Sequence, residues 1–348
     1  MTTDVTGTDV TDADATAAGT TAAAPPVTRS AVGWRDLAWL TWRQHRGGIG
    51  ACALVVAGAA CLALALAAHI TASGHSRHEL FGVFDYPDLA QVLTLTPLLL
   101  GPVVAGFWTA PLLAREYEQR THLVVWSQDV TAVRWLTGKV VLLGVLAVAL
   151  AAGLGSSLVV LMDSVNATSV DYAPFRPFES QVFEAAPQVQ AAYAAFAFAL
   201  GLALSALTRR TVVSMGLALV GFAFARFFVA AGWRPHYREP ERVLEPYVAD
   251  GLLYSRMLDD DSWVVDSGYA DAAGDEVDFP RYCVTTGQDV DPAYTKCVTD
   301  SGVAQHYADY QPGDRAAAFQ WVESAVFAVP AAALLVLVFV WVRRSHRV

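Results

Sequence analysis

The stretch VVLLGVLAVALAAGLGSSLVVLM, residues 140–162, contains no charged side chain. About 20 apolar residues in an α-helix cross the ~30 Å hydrocarbon core of a bilayer. A helix also hydrogen-bonds its own backbone, which water cannot do inside the core. Other long apolar stretches, with at most one charged residue each, occur at residues 49–70, 91–113, 187–207, 211–231 and 320–342. The sequence therefore predicts an all-α polytopic membrane protein with six transmembrane helices.

Basic residues are concentrated in alternate connections between these stretches. One side of the predicted membrane carries Arg29, Arg35, Arg43, Arg46, Arg115, Arg120, Arg134, Lys139, Arg209, Arg210, Arg343, Arg344 and Arg347. The short loops on the other side, residues 71–90 and 163–186, carry only Arg77 and Arg176. By the positive-inside rule, both the N- and the C-terminus are expected to be cytoplasmic.

The composition excludes an ordinary soluble domain. Hydrophobic residues make up 55% of the 348 residues and charged residues only 16%, as expected for a protein embedded in the lipid bilayer. The net charge of −10 does not oppose contact with an anionic inner leaflet, because the cytoplasmic side is the basic one. High alanine and arginine with almost no lysine suggests a high-GC bacterium. We expect a multi-pass protein of the plasma membrane. No nucleic-acid partner is expected.

The segments before the first apolar stretch differ in character. Residues 1–28 are rich in Thr, Ala, Asp and Pro and are expected to be a disordered tail. Residues 29–48 contain SAVGWRDLAWLTWRQHRGG, whose apolar residues share one helical face. This pattern predicts an interfacial amphipathic helix that stops at Gly47-Gly48. The alternative is an inward extension of the first membrane helix.

Residues 114–139 are the most unusual connection. The segment AREYEQRTHLVVWSQ, residues 114–128, mixes charged, aliphatic and aromatic side chains. A structured cytoplasmic loop of this kind is suited to docking a soluble partner. A loop folded back on its own bundle is the alternative.

Residues 233–319 are long enough for a small extracellular subdomain, followed by the sixth helix and a basic tail at residues 320–348. Cys283 and Cys297 lie in this exterior segment, and we expect them to form a disulfide there. Two free thiols are the alternative. Cys52 and Cys61, within the first apolar stretch, are interpreted as packing residues.

Two ionisable residues lie near the exterior ends of the last two membrane helices. Arg226 interrupts GFAFARFFVAAGW, and Glu323 follows Phe319-Gln320-Trp321. A charge in hydrocarbon is costly unless it pairs or reaches the headgroups. An Arg226–Glu323 ion pair and a snorkelling Arg226 are both consistent with the sequence.

No motif for enzymatic chemistry is present. Gly138-Lys139 is preceded by Val133 where a P-loop needs glycine, and Val140 follows where Ser or Thr is required. His78-Glu79 has Gly82 in place of the second zinc ligand. We therefore expect no catalytic residue, no metal and no cofactor in this chain.

The run REYEQRT at residues 115–121, followed by an apolar stretch and Gly138-Lys139, resembles the cytoplasmic loop of ABC-2-type ABC transporter permeases. TWRQHR at 41–46 and YQPGDRAAAFQWVES at 310–324 are similar to permease subunits of actinobacterial drug-export transporters. Residues 316–318, three alanines, depart from the aromatic residue expected there. The resemblance covers about residues 30–348.

The resemblance implies a permease subunit that couples ATP hydrolysis in a separate cytoplasmic ABC ATPase subunit to substrate movement across the plasma membrane. It implies pairing with a second permease subunit, as a homodimer or a heterodimer. The residues that it assigns to the ATPase-coupling loop are Glu116, Tyr117, Glu118, Arg120, Thr121 and Trp126. A membrane-embedded accessory or sensory protein that binds a cytoplasmic regulator is the alternative function. A secondary transporter is disfavoured because no internal repeat is evident.

Overall fold

The computed structural model describes residues 33–73, 79–80, 84–119, 131–169, 173–248, 258–259, 261–283 and 292–345. Six helices among these residues are long and apolar enough to span a membrane, and we number them in chain order. They are α1 (Trp34–Ser73), α2 (Asp88–Glu118), α3 (Ala132–Thr168), α4 (Pro187–Thr208), α5 (Thr211–His236) and α6 (Gly313–Arg344). Each contains one of the six apolar stretches, so the predicted multi-pass helical architecture is confirmed.

Shorter elements lie between the spanning helices. Two short helices cover Ser180–Ala185 and Pro292–Asp300. A hairpin pairs β1 (Glu79–Leu80) with β2 (Phe84–Asp85). The remaining strands are β3 (Glu241–Pro246), β4 (Trp263–Ala270), β5 (Glu276–Val277) and β6 (Gln305–Gln311).

Helix α4 lies at the centre of the bundle, where it contacts α2, α3, α5 and α6. Of the 18 consecutive residues that make up the most apolar part of α4, 67% are buried, whereas the corresponding share in α1, α5 and α6 is 22%. Eight of the 22 residues of α4 are alanine and one is glycine, and such small residues let helix backbones approach closely in a membrane. At Gly201 an added Cβ would lie only 2.4 Å from Thr109 Oγ1 of α2.

Helix α2 departs from regular α-helical geometry. A turn at residues 94–95 and a π-helical segment, Val103–Thr109, interrupt it before the final part, Ala110–Glu118. Backbone N–H groups at such breaks need other partners in a membrane. Ser205 Oγ of α4 accepts hydrogen bonds from Leu113 N at 3.2 Å and Ala114 N at 2.6 Å.

Helix α1 is a single helix of 40 residues that passes through Gly47 and Gly48. The break that we expected there is absent, and the helix continues as in the alternative interpretation. Leu37 and Thr41 are buried, and Leu37 contacts Gly138 at the start of α3. This packing offsets the low helix propensity of glycine, about 1 kcal/mol per residue relative to alanine.

The segment between α5 and α6 corrects the all-α expectation. It contains an antiparallel four-stranded sheet in the order β3-β6-β4-β5. Cross-strand pairs include Val243 with Ala308 and Tyr269 with His306. Strand character was hidden because a sheet with one polar face carries few apolar residues. The protein is thus a six-helix bundle with a small α+β subdomain.

The subdomain is held together from both faces of its sheet. Val298 of the helix Pro292–Asp300 is buried in a cluster with Cys283 and Val303. On the other face, Arg242 forms ion pairs with Asp309 and Glu276.

An aromatic cluster joins the subdomain to the bundle. Phe178 contacts Trp263 of β4 at 5.4 Å and Phe319 of α6 at 5.5 Å between ring centroids. The bundle therefore has two distinct ends. We call them the subdomain end, which carries the sheet, and the basic end, which carries the arginine-rich termini of the spanning helices.

Candidate functional site

The last turn of α2 lies at the basic end, and Glu116 forms an ion pair there with Lys139 of α3. The Lys139 side chain is only 1% exposed, and its Nζ lies 4.4 Å from the centre of the Trp135 ring. A buried ammonium group requires a charge partner, because its desolvation is otherwise uncompensated. Glu116 therefore links α2 to α3.

The carboxylate of Glu118 caps the first turn of α5. It accepts hydrogen bonds from Thr211 N at 2.9 Å and from Thr211 Oγ1 at 2.7 Å. An acceptor at this position satisfies an otherwise unpaired helical N–H. Its negative charge also interacts favourably with the positive end of the helix dipole. Glu118 therefore links α2 to α5.

Tyr117, between these two carboxylates, contacts the connection from α4 to α5. The guanidinium carbon of Arg209 lies 5.3 Å from the centre of the Tyr117 ring, within range of a cation–π interaction. Arg209 has φ of 54°, a left-handed conformation that ends α4. Three consecutive side chains of α2 thus contact three other parts of the bundle. A displacement of this turn would move all of them together.

Sequence reasoning expected these residues to face a soluble partner. The structure directs Glu116 inward to Lys139 and Glu118 to Thr211, so their charges already serve contacts within the chain. Arg120, Thr121 and Trp126, also predicted for the coupling loop, lie outside the described residues. Lys139 was not predicted from the sequence to belong to this site. It is one of only two lysines in the chain, and this rarity could have drawn attention to it.

A second group of charged residues is buried at the subdomain end. Arg234 donates to both oxygens of Glu323, from Nε at 2.8 Å and from Nη2 at 2.6 Å. Its Nη2 also donates to Glu184 at 2.9 Å, and Arg226 forms an ion pair with the same Glu184. The two arginines and two carboxylates balance in charge. They connect α5 and α6 to the short helix Ser180–Ala185.

The sequence left open an Arg226–Glu323 pair or a snorkelling Arg226, and in the structure Arg226 instead pairs with Glu184 within this larger network. Arg226 and Arg234 are eight residues apart, so they lie on one side of α5 about two turns from each other. Arg234 is nearer the end of α5 and reaches Glu323, whereas Arg226 is directed to Glu184. The i, i+8 spacing of the arginines was available in the sequence. The position of Glu184 was not.

Two tyrosines also donate hydrogen bonds to the carboxylate of Glu323. Tyr193 of α4 donates to Oε1, and the Tyr237 hydroxyl donates to Oε2 at 3.3 Å. Burial, together with the negative charge of Glu323, raises the pKa of Tyr237, so it remains a proton donor. The network is suited to joining helices. In the described part of the chain no group of three or more His, Cys, Asp or Glu could hold a metal ion.

Cys283 and Cys297 are joined by a disulfide, with their Cα atoms 5.8 Å apart. The bond ties the residues after β5 to the helix Pro292–Asp300. Cys52 and Cys61 are free thiols in α1.

Comparison with known families matches more than half of the chain to one family model. The model of the family described as ABC-2 membrane transporter related matches residues 47–234. The match covers all but the first part of α1 and extends through α2, α3, α4 and nearly all of α5. It includes Glu116, Lys139 and Arg234. Comparisons with curated proteins and with solved structures gave no match.

Proposed function

The chain belongs to the ABC-2 membrane transporter related family, and we propose that it is the transmembrane permease subunit of an ATP-binding-cassette exporter. In this proposal ATP is hydrolysed by a separate cytoplasmic ATPase subunit. The permease provides the path across the plasma membrane. It works as a pair with a second permease subunit, identical or different.

The contacts of Glu116, Tyr117 and Glu118 carry this proposal. They connect the end of α2 to α3, to the α4–α5 turn and to the start of α5. A partner that pushes on residues 119–131 would therefore act on several spanning helices at once. This arrangement suits a coupling site better than it suits an isolated loop.

We place the ATPase at the basic end, with both termini on the cytoplasmic side. The exposed charges there are mainly arginines, as the positive-inside rule requires. The subdomain then lies outside the cell, where its disulfide is stable. The buried network of Glu184, Arg226, Arg234 and Glu323 would hold the outer ends of the helices together while the inner ends move.

Glu118→Gln is the sharpest test of coupling. Glu118 is exposed, so its loss does not leave a buried charge. Glutamine keeps one oxygen that can accept from Thr211 N but loses the negative charge and the second acceptor, for Thr211 Oγ1. The variant should therefore weaken the link between α2 and α5 while preserving the fold. Glu179→Gln is a matched control, because Glu179 is exposed at the subdomain end and makes no side-chain cap.

The measurement is ATP turnover by the permease copurified with an ATPase subunit encoded beside it, together with export of its substrate. We expect Glu118→Gln to lower stimulated turnover and export several-fold with unchanged thermal stability, and Glu179→Gln to behave as wild type. Unchanged turnover in the Glu118 variant would show that this turn does not couple. A permease that never copurifies with an ATPase would favour the accessory or sensory function.

A further inference from the structure

The first turns of α1 carry an exposed face of tryptophan and arginine. At 100° per residue, Arg35, Trp39, Trp42, Arg43 and Arg46 fall within an arc of about 100° on the helix. Trp39 is 57% exposed and Trp42 is 49% exposed, and all three arginines are exposed. We call these five residues the Trp–Arg face.

The charges of the Trp–Arg face are not neutralised within the described part of the chain. Arg43 lies 5.1 Å from the centre of the Trp39 ring, and none of the three arginines has an ion pair there. The nearby Asp36 accepts a hydrogen bond from Gly33 N at 3.0 Å at the start of the helix. The face therefore presents three guanidinium groups beside two indoles.

The position of the face along α1 places it near the membrane surface. The 40-residue helix is about 60 Å long, whereas a bilayer with its headgroups is about 40–45 Å thick. A tilt of about 40° reduces the span of the helix to about 46 Å and is within the range for membrane helices. Arg46 and Trp42 precede Ile49 by about 5 and 10 Å along the helix. At this tilt these distances correspond to about 3 and 8 Å along the membrane normal, about the thickness of the headgroup layer.

We propose that the Trp–Arg face binds the headgroups of anionic phospholipids in the inner leaflet. Arg43 and Arg46 would bind the phosphates, and the Trp42 indole would lie among the headgroups, where tryptophan is favoured. Arg35 and Trp39 lie farther from the membrane on the same face, where Arg35 adds to the positive potential. This inference rests on the inward orientation of the basic end proposed above. It adds a specific lipid site to the permease.

Continuity along α1 favours lipid over a protein partner. The same side of the helix continues through Gly50, Leu54, Cys61 and Leu64, all of which are exposed. Leu54 is apolar, 76% exposed and within the membrane span, which makes this side suited to packing against acyl chains. Lipids packed along this side have their headgroups where the arginines begin. The opposite side, with Leu37, is already occupied by α3.

The test compares Arg43→Gln/Arg46→Gln with wild type in binding to phosphatidylglycerol. Purified permease alone is titrated with this lipid in detergent and analysed by native mass spectrometry. Its thermal unfolding is also compared in nanodiscs of phosphatidylcholine with and without phosphatidylglycerol. The control, Arg238→Gln/Arg281→Gln, removes two exposed arginines from the subdomain end. Because no ATPase is present, this result is independent of the proposed coupling.

We expect the Arg43/Arg46 variant to bind phosphatidylglycerol roughly thirty-fold more weakly, at about 1 kcal/mol for each arginine near an anionic surface. It should also lose the rise in unfolding temperature that phosphatidylglycerol gives the wild type, while the control keeps both. Equal binding by variant and wild type would overturn the proposal, and so would equal losses in variant and control. If lipid binding is unchanged and a separate pull-down of the same variant shows loss of ATPase copurification, the proposal is overturned and the face is assigned to the ATPase instead.

Discussion

Lys139 shows how strongly one residue constrains this bundle. Its ammonium group is buried at the contact of α2 and α3 and is paired with Glu116. Such a pair contributes little net stability compared with an apolar pair, but the loss of one partner is costly. Glu116 therefore has a structural role, and any role in coupling must be measured separately from it.

Glu116→Gln and Lys139→Met should each lower the free energy of unfolding, the first by about 3 kcal/mol because Lys139 remains buried without a counter-charge. The double variant should lose less than the sum of the two, since no unpaired charge remains. The measurement is a double-mutant cycle by denaturation in detergent. Additive losses would mean that the pair is not coupled. Coupling assays on a stable double variant would then isolate the contribution of Glu116 to ATP turnover.

The two arginines of the subdomain-end network should differ in importance. Arg234→Gln leaves the fully buried Glu323 without a cation and should cost about 3–5 kcal/mol. Arg226→Gln leaves Glu184 still paired with Arg234 and should cost about 1–2 kcal/mol. Unfolding of the two variants under identical conditions tests this order. A larger loss for Arg226→Gln would contradict the arrangement.

Among the elements, α4 depends most on small side chains. Gly201 lets α4 approach the π-helical part of α2, where Thr109 Oγ1 and the Ala105 carbonyl oxygen would lie within 2.5 Å of a Cβ added to the glycine. The hydrogen bonds from α2 to Ser205 require the same close approach. Irregular backbone in α2 is thus supported by its neighbour.

Gly201→Ala should destabilise the protein by about 1–3 kcal/mol, because α2 and α4 must separate to accommodate the methyl group. Gly153→Ala in α3 is the matched control, since no heavy atom lies within 4 Å of its added Cβ. The comparison uses thermal unfolding in the same detergent. A neutral Gly201→Ala would show that the helix contact is looser than described.

For the whole molecule, the orientation in the membrane decides which end meets the ATPase. A fluorescent protein that folds only in the cytoplasm should be active when it is fused after Arg210. A phosphatase that is active only after export should be inactive at the same position. A phosphatase that is active only after export should be active when it is inserted at the exposed Ala273, in the turn between β4 and β5, and a fluorescent protein that folds only in the cytoplasm should be inactive there. An exported reporter at Arg210 would contradict the orientation and with it the coupling proposal.

The chain's sequence by itself determined the class of protein and its main divisions. Apolar stretches of membrane length predict the six spanning helices, because burying uncharged residues in lipid depends on local composition. The cysteine pair that the structure joins was also predicted from the sequence. Boundaries within helices, such as the passage of α1 through Gly47-Gly48, depend on packing and were not predicted.

Only the tertiary structure decided which charges meet. Lys139 with Glu116, and Arg234 with Glu184 and Glu323, join residues up to 89 positions apart. The sequence shows that each charge needs a partner, but the choice depends on which helices are adjacent and how they are rotated. The sheet was missed for a related reason. A strand with one polar face is stabilised mainly by its neighbouring strands, and these come from distant parts of the chain.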